Sequence, residues 1–263
     1  PNDSVCNGTS VTMTGTGALN YSWNGPQAVL NATPFTALTT GTYTLTGTDA
    51  NGCSQSTSAL LTVHSLPNVT IGAVTPNDTV CNGTQLTLSG AGALNYVWSG
   101  PQVINNAVPF NAINSGTYTV TGSNAFLCTN TATQAITVNP LPNVTVATVT
   151  PNDTVCEGSL ITLAGGGATN YAWSGPQVIT NNTPFAAINT GNYTVTGTDA
   201  NLCSNTSSVS ITVHMIPVFS LGADTSICEN KQLTLSQPFN GATVLWNDNS
   251  NADTLLVNQL GNY

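Results

Sequence analysis

An eight-residue stretch, Asn20-Tyr21-Ser22-Trp23-Asn24-Gly25-Pro26-Gln27, returns as Asn95 to Gln102 and again as Asn170 to Gln177, an advance of 75 residues each time. A degraded copy, Leu245-Trp246-Asn247-Asp248, follows, so the chain's 4 tryptophans fall one to a copy. A fixed period of this length replaces a single 263-residue domain with three near-identical repeats and part of a fourth. The boundaries fall at 1–66, a repeat whose first strand is missing, then 67–141, 142–216, and a diverged, truncated 217–263. One tryptophan per repeat predicts one core per repeat, with Trp23, Trp98, Trp173 and Trp246 as its buried pins, Tyr21 and its copies beside them, and Tyr43, Tyr118 and Tyr193 also in the core.

Within a repeat the apolar period is two. Val11 and Met13 alternate with Thr12 and Thr14, and Leu19, Tyr21 and Trp23 share one face of the next strand. Gly25-Pro26 ends that strand, Pro34-Phe35 carries a further core residue, and Gly41-Thr42-Tyr43-Thr44-Leu45 places Tyr and Leu on one face with Thr on the other. Leu61 and Val63 close the pattern after a turn at Asp49-Ala50-Asn51-Gly52. No 3.6-residue period occurs, so the expected class is all-β, a tandem array of Ig-like antiparallel β-sandwich domains. The links Leu66-Pro67, Leu141-Pro142 and Ile216-Pro217 are short and proline-restricted, which predicts an extended, fairly stiff rod. Pro76 and Pro151 each follow a strand-like run, Val69-Thr70-Ile71 and Val144-Thr145-Val146, whereas Pro1 does not; the sequence reads as a window on a longer array.

Charged residues are 4% of the chain, ten carboxylates against the single cation Lys231, for a formal net charge of −9. Such a surface neither neutralises phosphates nor is drawn to anionic lipid, so nucleic acid and membrane surfaces are excluded as partners. No apolar run approaches the roughly 20 residues of a membrane-spanning helix. Catalytic chemistry is equally absent. His64 and His214 have Asn139 as their middle counterpart, and Asp49 and Asp199, a conceivable calcium pair, face Ser123-Asn124 there. No nucleophile stands beside a base and no phosphate loop is present, so the chain is read as a non-enzyme without metal or cofactor.

The 7 cysteines are the strongest chemical signal. Cys6 and Cys53, Cys81 and Cys128, and Cys156 and Cys203 are each 47 residues apart, and Cys228 is left over. Pairing within repeats predicts three bridges, with the partner of Cys228 beyond residue 263, and an oxidising compartment. Free thiols and metal ligation are the rival readings, the latter without a CxxC or histidine cluster to support it. A geometric reservation attaches to the intra-repeat bridge. On an ordinary immunoglobulin topology its two cysteines fall at opposite ends of the sandwich, and a disulfide needs Cα atoms within about 7 Å.

The sequence Cys81-Asn82-Gly83 before Leu86-Thr87-Leu88, then Tyr96-Val97-Trp98, Ser115-Gly116-Thr117-Tyr118-Thr119-Val120 and Cys128, resembles the Ig-like and PKD-like repeats of large Bacteroidota surface proteins. The resemblance covers the whole chain. It implies a secreted, cell-surface stalk or filament of the kind found in gliding-motility adhesins exported by type IX secretion. The second repeat departs by carrying Ala125-Phe126-Leu127 where the first has Ala50-Asn51-Gly52, which puts a fixed turn type in doubt. Asp followed by Ser or Thr and an apolar residue is similar to the O-glycan acceptor pattern of that phylum, which would mark Ser4, Thr79, Thr154 and Thr254; an Asp-capped turn accounts for the same residues.

These readings converge on a structural segment of an extracellular bacterial surface adhesin or filament, partnered by neighbouring repeats or by identical chains in a fibre. Two alternatives differ in class: tandem modules that bind surface glycans, and the spacer of a larger secreted enzyme.

Overall fold

A computed structural model describes residues 4–148, 153–218, 223, 226–228, 231–236 and 243–257. Every regular element among them is a strand, as the period-two pattern requires, and no helix is long and apolar enough to cross a membrane. Contacts divide the chain into two bodies, Pro1–Leu141 with Ala200–Cys203, and Pro142–Asp199 with Ser204–Tyr263.

The first repeat runs β1 (Ser4–Cys6), β2 (Ser10–Thr12), β3 (Asn20–Asn24), β4 (Pro34–Thr36), β5 (Gly41–Thr48) and β6 (Ser54–His64). One sheet has the order β1-β6-β5-β3, and β2 pairs with β4 in a second. The second repeat adds a leading strand. Its order is β7 (Thr70–Thr75), β8 (Thr79–Cys81), β9 (Gln85–Ala91), β10 (Asn95–Ser99), β11 (Phe110–Asn111), β12 (Gly116–Ser123) and β13 (Thr129–Asn139). Here the sheets are β10-β12-β13-β8 and β11-β9-β7. The third repeat follows with β14 (Thr145–Thr148), β15 (Thr154–Cys156), β16 (Leu160–Ile161), β17 (Leu163–Gly166), β18 (Asn170–Ser174), β19 (Phe185–Ala186), β20 (Gly191–Thr198) and β21 (Ser204–His214). Its sheets are β15-β21-β20-β18 and the two pairs β14-β17 and β16-β19, and all three repeats are Ig-like in arrangement. The pairings are antiparallel except one per repeat: the short strand ending in cysteine runs parallel to the last strand, with Cys6 opposite His64, Cys81 opposite Asn139 and Cys156 opposite His214.

Threonine alternation on the long hairpin has a direct structural use. Thr44, Thr46 and Thr48 on β5 bond across to Ser58, Ser56 and Ser54 on β6 at 2.9 to 3.1 Å, an exposed hydroxyl ladder that holds register on the face turned from the core.

Within the core the three tyrosines lie deeper than the tryptophans of the same repeats. Tyr43, Tyr118 and Tyr193 are fully buried, whereas Trp23, Trp98 and Trp173 are half-buried and pack against the clusters from their margin. Each marginal indole N–H needs an acceptor and finds one. Asn106 supplies it: its Oδ1 accepts from Trp98 Nε1 at 3.1 Å and from the Gly90 amide at 2.6 Å. Asn31 and Asn181 do the same for Trp23 with Gly15 and Trp173 with Gly165. Replacing Asn106 with Ala strands both donors, so Asn106→Ala is expected to destabilise the second repeat by about 1–3 kcal/mol, read as a lower denaturation midpoint at unchanged slope.

The fourth repeat contributes a hairpin, β22 (Leu233–Ser236) with β23 (Thr254–Val257). Leu233 and Leu235 pack there on buried Trp246, Leu255 and Val257, and Trp246 Nε1 donates to the Ala252 carbonyl at 2.7 Å. Tyr263 lies outside the described residues.

Candidate functional site

The chemistry-bearing residues gather where one repeat meets the next. Cys6 ends β1 beside His64, at the C-terminal end of β6, whereas Cys53 stands just before the N-terminal end of that strand. Ten steps of roughly 3.3 Å separate the two ends by about 33 Å, several times the Cα separation of about 7 Å that a disulfide spans. The expected bridges Cys6 to Cys53, Cys81 to Cys128 and Cys156 to Cys203 are therefore corrected. Cys6 is joined to Cys128 and Cys81 to Cys203, each with Cα atoms 5.5 Å apart and 122 residues between them. The first cysteine of one repeat is bound to the second cysteine of the next. Cys53, Cys156 and Cys228 are free and exposed. Equal intra-repeat spacing could not reveal this, because a constant 47 plus a constant 75 fits pairing across repeats as well as within them.

Between the first and second repeats the linker is clamped by more than the disulfide. Pro67 and Val69 are buried. Asn130 Nδ2 donates to the Pro67 carbonyl at 3.1 Å, and Asn124 Nδ2 donates to the Ser65 carbonyl at 2.9 Å. Two glycines of the second repeat make room for the linker. A Cβ on Gly122 would stand 2.6 Å from a Val69 methyl, and one on Gly92, at φ +84°, would overlap the Asn68 carbonyl oxygen. The third repeat receives its own linker in the same way, with Asn205 on the Pro142 carbonyl at 3.1 Å, Gly197 under Val144 and Gly167 against Asn143. His64 is half-buried: it bonds to Ser4 Oγ at 2.6 Å and stacks on Phe126 with ring centroids 3.6 Å apart.

The turn carrying the second cysteine keeps one form despite its sequence change. Asp49 Oδ1 accepts from the Asn51 and Cys53 amides, and Asn124 Oδ1 accepts from those of Phe126 and Cys128. Gly52 lies at φ 81°, Leu127 at 62° and Leu202 at 63°, so the turn geometry places two leucines in the left-handed region. The Asx acceptor, not the glycine, defines the turn.

A glutamine clamp supports each sandwich from inside the repeated stretch. Gln27 Oε1 accepts from the Leu38 and Thr39 amides and from the Tyr43 hydroxyl, while Nε2 donates to the Thr36 carbonyl. Gln102 and Gln177 repeat the set around Tyr118 and Tyr193. Burial pushes the Tyr43, Tyr118 and Tyr193 hydroxyls above the phenolic 10.0, with the Gln27 hydrogen bond drawing Tyr43 partly back. A raised folded pKa means that the native state retains these protons when the unfolded chain has lost them. Stability from these groups is thus full below pH 10 and falls as pH climbs towards the folded values. Titration by phenolate absorbance is expected to show Tyr43, Tyr118 and Tyr193 ionising above the phenolic 10.0, together with loss of the fold.

The candidate acceptors Ser4, Thr79, Thr154 and Thr254 are exposed, and each opens a short strand. The aspartates before two of them also anchor the last strand through their main chain, since the Asp78 and Asp153 carbonyls accept from the Thr137 and Thr212 amides at 2.8 and 2.7 Å. Among the described residues no group of three His, Cys, Asp or Glu could hold a metal ion.

No protein-family model matches the chain, and no curated protein matches it. Solved structures with some likeness include the I-band fragment I67–I69 of titin, at 16% identity and a TM-score of 0.34, covering 80% of this chain and 95% of that one. The eight N-terminal Ig domains of Down syndrome cell adhesion molecule align at 12% identity and a TM-score of 0.29, over 98% of this chain and 49% of that one. A Ca2+-stabilized adhesin that helps an Antarctic bacterium bind ice aligns at 16% and 0.30, over 67% of this chain and 57% of that one. At these scores the likeness carries no role across to this chain.

Proposed function

We propose that this chain is a tension-bearing segment of an extracellular repeat array, a structural stalk or filament that presents or connects adhesive parts of a bacterial cell surface. The observation that carries this reading is the pairing of cysteines across consecutive repeats. A bridge inside a repeat protects that repeat alone, whereas a bridge from one repeat to the next carries tension around the linker through covalent bonds. Each closes a loop of more than 100 residues, worth about 5 kcal/mol in the chain-entropy account, and disulfides of this kind persist in oxidising, extracellular surroundings. The surface fits the same role, with a hydroxyl ladder on the first repeat and almost no charge. O-glycans on Ser4, Thr79, Thr154 and Thr254 would add to its hydration; intact-mass analysis finding these residues bare would remove that part. The main reading is tested by pulling: a chain stretched from its ends should yield far less length oxidised than reduced, and equal lengths would defeat the proposal.

A further inference from the structure

The first repeat carries the receiving half of a junction. In the second repeat, β7 pairs along β9 from Thr70 opposite Ala91 to Thr75 opposite Thr87, and β14 pairs along β17 in the third. The corresponding edge of the first repeat, residues 12–16, has no such neighbour among the described residues; Thr12, Thr14 and Thr16 are exposed, where Thr87, Ser89 and Ala91 are half-buried. Beside that edge lies an open groove of about 520 Å³, lined in part by Gly17, Ala18, Tyr21, Gly47, Cys53 and Gln55.

The groove is already cut to a particular shape. Gly17 and Gly47 correspond to Gly92 and Gly122, which must be glycine because the Asn68 carbonyl and the Val69 side chain lie against them. In the first repeat Gly17 meets nothing within 4 Å, although it keeps the same left-handed backbone at φ +90°. Gln55 stands where Asn130 and Asn205 hold the prolyl carbonyl of their linkers. Cys53, free and exposed, stands where Cys128 and Cys203 are disulfide-bonded.

We infer that this groove and edge receive a linker and leading strand of the Leu-Pro-Asn-Val-Thr type, continuous with this sandwich and joining it to a further repeat of the same polypeptide, and that the first cysteine of that further repeat is bonded to Cys53. The source is the same polypeptide because in the second and third repeats the filling strand leads through Pro-Asn-Asp, residues 76–78 and 151–153, into its own sandwich, and Pro1-Asn2-Asp3 repeats that tripeptide. Strand addition along 12–16 supplies main-chain hydrogen bonds, and the valine filling the space over Gly47 supplies selectivity. The covalent step joins two thiols: each sulfur loses its proton, one S–S bond forms, and the two electrons reduce an organic disulfide oxidant to two thiols.

Two measurements test this. In the first, the 263-residue chain is mixed with a synthetic peptide of sequence Ser65–Pro76, and amide hydrogen exchange is followed. Saturable slowing of about tenfold or more at residues 12–16 is expected with that peptide and is lost with the same peptide carrying Val69→Gly. Slowing that survives Val69→Gly, or none with either peptide, overturns the seat. Because the change is made in the peptide, folding of the protein is not in question. In the second, the native polypeptide is alkylated and mapped without reduction. A Cys53 peptide linked to a cysteine of another repeat in the same polypeptide is expected. An alkylated Cys53, or one bridged to Cys156 of a second copy, overturns the assignment.

Discussion

Stretched in a single-molecule force experiment, the oxidised chain is expected to yield 47 residues between Cys6 and Cys203, and the reduced chain 197. The figures follow from the interleaving of the two bridges. The shortest covalent path runs from Cys6 across to Cys128, back along the chain to Cys81, and across to Cys203. At about 3.5 Å per extended residue, the difference of 150 residues is an added contour of roughly 500 Å on reduction. Single removals give a sharper signature. Replacing Cys6 and Cys128 with serine leaves a path of 75 residues from Cys6's position to Cys81 and across, and replacing Cys81 and Cys203 leaves 75 from Cys128 onward. Either pair alone should therefore release only about 100 Å, and both together the whole gain. Separate, intra-repeat bridges would instead release equal lengths one by one, and that staircase would defeat the interleaved arrangement.

What the sequence disclosed and what it withheld divide along physical lines. Period and alternation are local, so repeat number, strand faces and the all-β class could be read directly. The disulfide partners depend on which end of an 11-residue strand a cysteine occupies and on which sandwich lies beyond it, and neither is encoded in a spacing common to all repeats. The depth of each aromatic within the core was not legible: tyrosine, whose hydroxyl reaches the glutamine clamp, takes the centre, while Trp23, Trp98 and Trp173 sit at the margin with their indole N–H on Asn31, Asn106 and Asn181. Those asparagines and glutamines were visible as invariant positions of the period. They carried no alternation or charge signal, so only the packed structure gave them a role. Phe126 and Leu127 looked like a departure from the turn, but the turn is set by the Asx acceptor at Asn124 and tolerates both.

Gly92 and Gly17 provide a matched pair in which the same substitution meets different surroundings. Gly92→Ala places a methyl group on the Asn68 carbonyl, backbone against backbone, in a left-handed conformation that already disfavours a side chain. The linker must leave its place or the strand ends must part, so a loss of about 3 kcal/mol or more is expected for the second repeat, with faster exchange at the amides of β7 and β9. Gly17→Ala in the 263-residue chain meets open space and should cost only the conformational part, about 1–2 kcal/mol. Equal costs would mean that backbone conformation alone dictates both glycines and that the linker contributes nothing at Gly92. The comparison also reports on the open groove. If a linker to a further repeat fills it, Gly17 in the polypeptide carrying that linker has its own carbonyl neighbour, and Gly17→Ala there rises to the cost of Gly92→Ala. A cost that stays low in the complete polypeptide would mean that no linker lies over Gly17.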